Sequence, residues 1–102
     1  MTRVIISPEA DADSAAILAD LAGQAGPRVA DSYEADFDAV YERLAVFPQL
    51  GAPRSRLSKD LRMCIVLPYL IFYEYLEAEE TVTILRIVHG KRKITRKFLM
   101  DR

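Results

Sequence analysis

Residues 61–102 read LRMCIVLPYLIFYEYLEAEETVTILRIVHGKRKITRKFLMDR, and this stretch decides the fold. Apolar, β-branched and aromatic residues dominate three runs within it: residues 62–67, 69–76 and 81–88. Pro68 separates the first two runs, and four polar or small residues separate the last two. Strands joined by such short turns pair antiparallel, because a parallel crossover needs a dozen or more residues. The sequence therefore predicts a three-stranded antiparallel meander.

Two amphipathic helices are predicted upstream of the meander. Ser7-Pro8-Glu9 is typical of a helix start, because serine accepts hydrogen bonds from free backbone N–H groups and proline suits the first helical position. Gly23 and Gly26 mark the end of this helix. Pro27 opens a second helix, in which apolar residues recur every three or four positions as far as Phe47. We expect the resulting helical hairpin to bury its apolar stripe against the sheet.

Shorter elements are predicted at the two ends of the chain. Residues 2–6 favour a strand because three β-branched residues follow one another there. Residues 91–101 are compatible with a short helix that docks back through Ile94, Phe98 and Leu99. With 102 residues, the chain forms one domain, residues 1–102. The predicted fold class is α+β: a strand, a helical hairpin and a three-strand antiparallel meander in one sheet, with a short C-terminal helical or extended segment.

The composition indicates a soluble protein of the cytoplasm. No apolar stretch approaches the roughly 20 residues of a membrane span. The N-terminal apolar run is too short for the core of a signal peptide. The single cysteine, Cys64, excludes an internal disulfide and fits a reducing compartment. Because Cys64 lies in a strand pattern, we expect it to pack as an apolar thiol rather than act as a nucleophile.

The net charge of −1 conceals an asymmetry along the chain. Residues 1–53 hold three bases against nine acids, a net charge of −6. Residues 54–102 hold eleven bases against six acids, a net charge of +5. A one-sided basic surface favours a polyanion or an acidic protein as partner. The alternative is a solvated tail that keeps the edge of the sheet soluble.

One candidate site emerges, a cluster of basic side chains. Its members are Arg62, Arg86, His89, Lys91, Arg92 and Lys93. Arginine and lysine can neutralise phosphates, and histidine can move a proton near neutral pH. The simpler interpretation pairs Arg86 with a carboxylate such as Glu74 on the neighbouring strand and lets His89 cap the strand end. Strand alternation predicts that Arg86 and His89 lie on opposite faces unless a bulge intervenes.

Metal and cofactor sites have no signature here. One histidine and one cysteine, far apart in sequence, do not form a ligand set. The four glycines are isolated and do not form a phosphate-binding loop. We therefore expect no metal and no cofactor.

Two blocks of sequence, PYLIFY at residues 68–73 and ILRIVHGKR at residues 84–92, closely resemble the toxins of the ParE/RelE superfamily of bacterial toxin–antitoxin pairs. The segments SPEA at residues 7–10 and LAVFPQLG at residues 44–51 are similar to the same family, so the resemblance spans nearly the whole chain. It implies the fold predicted above.

The branch of the superfamily decides the chemistry. RelE-like members cut messenger RNA on the ribosome, whereas ParE-like members poison DNA gyrase. Arg62 and Arg92 match bases that the ribonucleases carry, but Cys64 and Leu70 stand where a lysine and an arginine are usual. Phe98 stands where a catalytic tyrosine would sit, and phenylalanine cannot transfer a proton. These differences favour the ParE branch.

The resemblance thus implies a toxin that traps gyrase in its cleaved-DNA state and has no catalytic residues of its own. Charge density and position at the sheet end suggest the toxic surface: Arg86, His89, Lys91, Arg92, Lys93, Arg96 and Lys97. The implied partner is a ParD-like antitoxin, which forms a hetero-oligomer with the toxin and supplies operator binding. We expect no membrane binding and no specific DNA binding by this chain. The antitoxin is expected to contact apolar and basic residues: Leu18, Leu21, Val40, Tyr41, Arg54, Arg56, Arg62 and Arg86.

Two alternatives stay open at this point. The first is a RelE-like ribosome-dependent mRNA endoribonuclease, since some superfamily members end their last strand with a catalytic histidine like His89. Its catalytic set would be Arg62, Arg86, His89 and Arg92. The second is a non-toxic relative that is retained as an antitoxin-binding module.

Overall fold

The fold combines helices with a five-stranded sheet, and the computed structural model describes residues 1–100. The elements in chain order are β1 (Arg3–Ile6), α1 (Pro8–Ala25), α2 (Pro27–Val46), β2 (Ala52–Pro53), β3 (Leu61–Val66), β4 (Tyr69–Leu76), β5 (Thr81–His89) and α3 (Arg96–Met100). A 3₁₀ turn, Glu77–Glu79, joins β4 to β5. This order confirms the predicted α+β fold class. Asp101, which the sequence includes in the terminal helix, lies outside the described residues.

Local hydrogen bonds and backbone conformation explain where the helical hairpin begins and where it turns. The Ser7 hydroxyl accepts a hydrogen bond from the backbone N–H of Ala10, at 3.0 Å, and donates one to the carbonyl of Leu85 in β5, also at 3.0 Å. Gly26, with a φ of 94°, separates α1 from α2. Gly23 lies inside α1, so its predicted role as a helix end is wrong; the positive φ at Gly26 breaks the helix instead. No helix within residues 1–100 combines the length and apolarity needed to cross a bilayer.

The strand order across the sheet is β1-β5-β4-β3-β2. β3, β4 and β5 form the predicted antiparallel meander. β1 pairs with β5 in parallel, from Arg3 opposite Thr81 to Ile6 opposite Ile84. The helical hairpin supplies the long connection that parallel pairing requires.

A short edge strand, which the sequence analysis does not predict, lies between α2 and β3. β2, Ala52–Pro53, pairs antiparallel with Arg62 and Met63 of β3. Pro53 has no N–H to donate, so such a strand is tolerated only at a sheet edge.

The ends of two strands differ slightly from the predicted ends. β3 begins at Leu61 and ends at Val66, and β5 includes His89.

Both faces of the sheet are covered. The first core lies between the helical hairpin and the sheet: Ala10, Phe37, Val40, Leu44, Ile71, Tyr73, Val82, Ile84 and Ile87. The second core lies on the opposite face, under the C-terminal segment: Leu61, Met63, Phe72, Leu85, Val88 and Leu99. Ile94 and Phe98 pack against this second core, as the sequence predicts.

The loop after α2 is fixed by side chains that reach out of the sheet. The Tyr73 hydroxyl accepts from the backbone N–H of Gly51 and donates to the carbonyl of Pro48, each at 2.8 Å. Arg62 donates to the carbonyls of Gln49, at 3.0 Å, and Gly51, at 2.8 Å. These four bonds satisfy the turn backbone and hold it against the sheet.

Gly51→Ala should lower the free energy of unfolding by about 1–3 kcal/mol, because overpacking forces neighbours to shift. A Cβ at this position would lie 2.6 Å from the Tyr73 ring and 2.8 Å from the Met63 carbonyl oxygen. Gly23→Ala is the matched control; nothing lies within 4 Å of its added Cβ, and alanine favours the helix. Urea unfolding measures both variants, and equal or greater stability of Gly51→Ala would contradict the packing described.

Alkaline pH should destabilise the fold through Tyr73. Burial raises the pKa of Tyr73 from its ordinary value of about 10 to about 12. Between these values the unfolded chain loses the tyrosine proton while the folded chain keeps it, so the free energy of unfolding falls as pH rises from about 10 to 12. Tyr73→Phe should shrink this pH dependence and, by leaving two buried backbone groups unpaired, lower the neutral-pH stability by about 1–3 kcal/mol. Urea unfolding across this pH range would contradict the account if both proteins showed the same slope.

Candidate functional site

A bulge in β5 sets the orientation of the candidate site. Tyr73 pairs with Ile84 and Phe72 pairs with Arg86, so Leu85 has no partner in β4. The strict alternation predicted for this strand is therefore broken after Ile84. Ile84 and Ile87 both join the core under the hairpin, whereas Leu85 and Val88 join the opposite core.

The bulge does not bring Arg86 and His89 to the same face, because it precedes both residues. Arg86 lies opposite Phe72, which belongs to the core under the C-terminal segment. His89 lies opposite Tyr69, which packs against the core under the hairpin. Cross-strand partners share a face of the sheet.

Asp13 of α1 binds Arg86 at the edge of β5 that β1 leaves open. Arg86 Nε donates to Asp13 Oδ2 at 2.7 Å, and Nη2 donates to Oδ1 at 2.9 Å. The backbone N–H of Ile87 donates to Oδ2 at 3.0 Å. The hydrogen bonds that Arg86 donates to Asp13 raise the pKa of Arg86 above its usual range. We call this group of three bonds the Asp13 clamp.

The predicted pairing of Arg86 with Glu74 is wrong. Glu74 lies opposite Thr83 in β5, on the other side of the bulge from Arg86. Arg86 is instead directed over the open edge of the strand, where the carboxylate of α1 meets it.

Sequence reasoning missed Asp13, although the chain carried a signal. Ala10, Asp13 and Ile17 recur at three- and four-residue spacing, so Asp13 occupies the apolar stripe of α1. A carboxylate in such a stripe needs a partner when it is buried. The partner itself could not be chosen without the fold.

His89 is exposed and its ring is oriented by two neighbours. Its Nδ1 accepts a hydrogen bond from the backbone N–H of Lys91 at 3.1 Å. The neutral ring therefore carries its proton on Nε2. The ring meets Tyr69 edge-on, with centroids 5.8 Å apart. Arg92 and His89 border a cleft of about 310 Å³ between α1 and the end of β5.

Phe98 of α3 lies against two guanidinium groups. The Cζ of Arg86 is 4.1 Å and the Cζ of Arg92 is 4.0 Å from the centroid of its ring. Cation–π contacts of this kind attract the cation to the ring face. Phe98 thus links the end of the sheet to the C-terminal segment.

Most of the residues predicted for the toxic surface are brought together at one end of the sheet. Exposed members are His89, Lys91, Arg92, Lys93, Arg96 and Lys97. We call these six residues the basic tail surface. Arg86 differs from them, because only 18% of its side chain is exposed and Asp13 occupies its guanidinium.

Of the four residues of the ribonuclease alternative, Arg86, His89 and Arg92 lie at the same end of the sheet, whereas Arg62 lies apart from them. Arg62 pairs with Tyr73, whereas His89 pairs with Tyr69, four positions along the same strand. This separation is about 13 Å along the strands and about 9–10 Å across two strand spacings. Arg62 also uses its guanidinium to hold the loop at residues 49–51.

Three of the eight residues predicted for antitoxin binding belong to or pack against the core under the hairpin. Val40 is 2% exposed, and Leu18 and Tyr41 pack against the same cluster. Leu21 is half-buried in α1, and Arg54 and Arg56 lie in the loop before β3.

Burial raises the pKa of Tyr41 to about 12, and the negative charges of Asp38 and Asp11 add to the effect.

Several apolar side chains outside the predicted antitoxin site are exposed, and the sequence analysis did not single them out. Five of them lie at the end of α2, in the loop after it, and in or just after β3: Val46, Phe47, Leu50, Ile65 and Leu67. Within residues 1–100, β2 pairs only with Arg62 and Met63, so residues 64–66 of β3 keep an open edge. A groove of about 540 Å³ between α2 and this edge is lined by Tyr33, Val40, Ile65 and others.

Comparison with known families agrees with this geometry. The family described as "ParE toxin of type II toxin-antitoxin system, parDE" matches residues 4–94. The chain belongs to the ParE toxin family. Toxin ParE3 of Caulobacter vibrioides is 34% identical over 94 residues, which cover 92% of each chain. This protein is thus a ParE-type toxin of a type II toxin–antitoxin system.

A solved structure shows the same fold. A chain of the structure titled "Chromosomal ParDE TA system from P. aeruginosa" superposes with a TM-score of 0.72. The match covers 87% of this chain and 96% of that chain, at 22% sequence identity. At this identity the likeness concerns the fold alone.

Proposed function

We propose that this ParE-type toxin acts in the cytoplasm by binding DNA gyrase and trapping the enzyme in its cleaved-DNA state. The observation that carries the proposal is the basic tail surface, which places five exposed cations within residues 91–97. Such a surface suits DNA phosphates or an acidic protein surface. A complex of gyrase with cleaved DNA presents phosphates at its surface, so one dense cationic surface has a matching partner there.

The contacts around the site favour a poison over the endoribonuclease alternative. A metal-free ribonuclease needs a base, an acid and phosphate-binding cations around one phosphate. Arg62 lies far from His89, Arg86 is bound to Asp13, and Phe98 cannot transfer a proton. Of the four residues in that alternative, His89 is the single acid–base group, and one such group is too little for this chemistry.

A ParD-like antitoxin is the proposed partner, and the open edge of β3 is its proposed docking site. In the part of the chain that the structure describes, β2 does not extend along residues 64–66, so an extended segment can add to β3 there as a strand. Exposed Ile65 and Leu67 flank this edge and offer apolar contacts. Arg43 at the end of α2 and Arg56 in the following loop are exposed cations, which suit an acidic segment. Val40, one of the residues predicted for antitoxin binding, lines the groove between α2 and this edge.

Adding the purified toxin to gyrase, ATP and supercoiled plasmid should yield linear DNA after detergent and protease. Replacing Lys91, Lys93 and Lys97 together by alanine should lower the linear product roughly tenfold or more, because three phosphate-neutralising charges are lost. These lysines are exposed, so folding should be unaffected. The matched control removes three exposed cations elsewhere, by Arg3→Ala, Arg28→Ala and Lys59→Ala.

The outcome separates the possible targets. Equal activity of the lysine variant and its control would contradict the role of the basic tail surface. A toxin that arrests growth in cells but yields no linear DNA would contradict gyrase as the target. A chain that neither yields linear DNA nor arrests growth would contradict toxicity itself.

Antitoxin binding should depend on the open edge of β3. Ile65→Asp should weaken the affinity for the antitoxin roughly tenfold or more, since an anchor side chain becomes a buried charge in the complex. Ile6→Asp is the matched control, because Ile6 is also a partly exposed isoleucine in an edge strand but lies in β1 at the opposite edge. Titration calorimetry measures both variants. Equal affinities would place the antitoxin elsewhere.

A further inference from the structure

Asp13 accepts three hydrogen bonds from β5, which is more than a simple surface ion pair provides. Oδ2 accepts from both Arg86 Nε and the Ile87 N–H, while Oδ1 accepts from Arg86 Nη2. Only 16% of the Asp13 side chain is exposed. Two parallel bonds to one carboxylate fix the plane of a guanidinium, which a single contact does not. The clamp therefore sets where the flat face of Arg86 lies.

Phe98 contacts the same guanidinium group that Asp13 binds. The Arg86 Cζ lies 4.1 Å from the Phe98 centroid, and Arg92 approaches the same ring at 4.0 Å. A chain of contacts thus runs from α1, through the end of β5, to α3. Arg92 at the end of this chain belongs to the basic tail surface.

The C-terminal segment depends on tertiary contacts for its position. α3 contains five residues, and an isolated helix of that length is not stable in water. Two hydrogen bonds open the helix: the Phe98 N–H donates to Thr95 Oγ1 at 3.1 Å, and the Leu99 N–H donates to the Thr95 carbonyl at 3.2 Å. Ile94, Leu99 and Met100 pack in or against the second core. Its placement therefore depends on tertiary contacts, of which the Arg86–Phe98 stack is one.

We propose that Asp13 is a positioning residue of the toxin: by fixing the guanidinium of Arg86, it seats Phe98 and holds the basic tail surface in the arrangement that acts on the target. The proposal rests on the proposed role of that surface. It assigns a function to a carboxylate in the first helix, outside the basic tail surface. Removing the clamp should release the tail without unfolding the sheet.

Asp13→Asn tests the proposal, because it keeps the shape of the side chain and removes the charge that binds the guanidinium fork. Asp31→Asn is the matched control, since it removes the same charge from an exposed position of α2, away from the basic tail surface. Arg86→Lys is a second variant, which keeps the positive charge and loses both the fork and the planar stack. Amide hydrogen exchange at Leu99 reports the docking of the tail, and exchange at Ile71 and Ile84 reports the sheet.

In Asp13→Asn and Arg86→Lys we expect exchange at Leu99 to rise about tenfold, the equivalent of about 1.4 kcal/mol. Exchange at Ile71 and Ile84 should remain slow. Growth arrest in cells should weaken in both variants and stay at the wild-type level in Asp31→Asn. Unchanged exchange at Leu99 in both variants would overturn the proposal, and so would full growth arrest by a variant whose tail is released.

Failure of the gyrase target can be told apart from failure of this proposal. If the wild-type toxin arrests growth but yields no linear DNA with gyrase, the target is wrong, while the exchange and growth measurements still decide the role of Asp13. If the wild-type toxin traps gyrase and Asp13→Asn traps it equally well with a released tail, the target stands and the positioning role is overturned.

Discussion

The carboxylate of Asp13 meets the open edge of β5, and the arrangement at this end of the molecule depends on that contact. β1 covers β5 only as far as Ile84, so the next backbone N–H groups need other acceptors. Asp13 accepts from Ile87 and from the guanidinium of Arg86 together. One acidic side chain thus satisfies a strand edge, neutralises a half-buried cation and joins the helical hairpin to the sheet.

The division of charge along the chain fits the contact between Asp13 and Arg86. Acids dominate residues 1–53, and bases dominate residues 54–102. Where the two halves meet, Asp13 and Arg86 compensate each other, and the remaining tail cations stay exposed. The β3 side of the sheet differs, because exposed apolar side chains and unpaired backbone groups lie together there. The toxin therefore offers two surfaces of different chemistry, one proposed for the target and one for the antitoxin.

Local patterns in the sequence were sufficient for most of the fold. The meander follows from β-branched runs separated by turns, and the hairpin follows from Ser7-Pro8 and Gly26-Pro27, because these signals act between neighbours in the chain. Contacts between distant residues could not be predicted in the same way. Asp13 and Arg86 are 73 positions apart, and their contact depends on the bulge at Leu85, which no local pattern marks. Strand pairing likewise determined which apolar residues of β3 remain exposed.

Photo-crosslinking tests most directly whether the basic tail surface contacts the target. A photoreactive amino acid at position 93 lies in that surface, whereas one at position 38 lies on the exposed face of α2. Both toxins would be irradiated with gyrase and plasmid DNA under cleavage conditions. The account predicts crosslinks to gyrase or its DNA from position 93 and none from position 38. Crosslinks from position 38 alone would contradict it and assign the target contact to the helical hairpin.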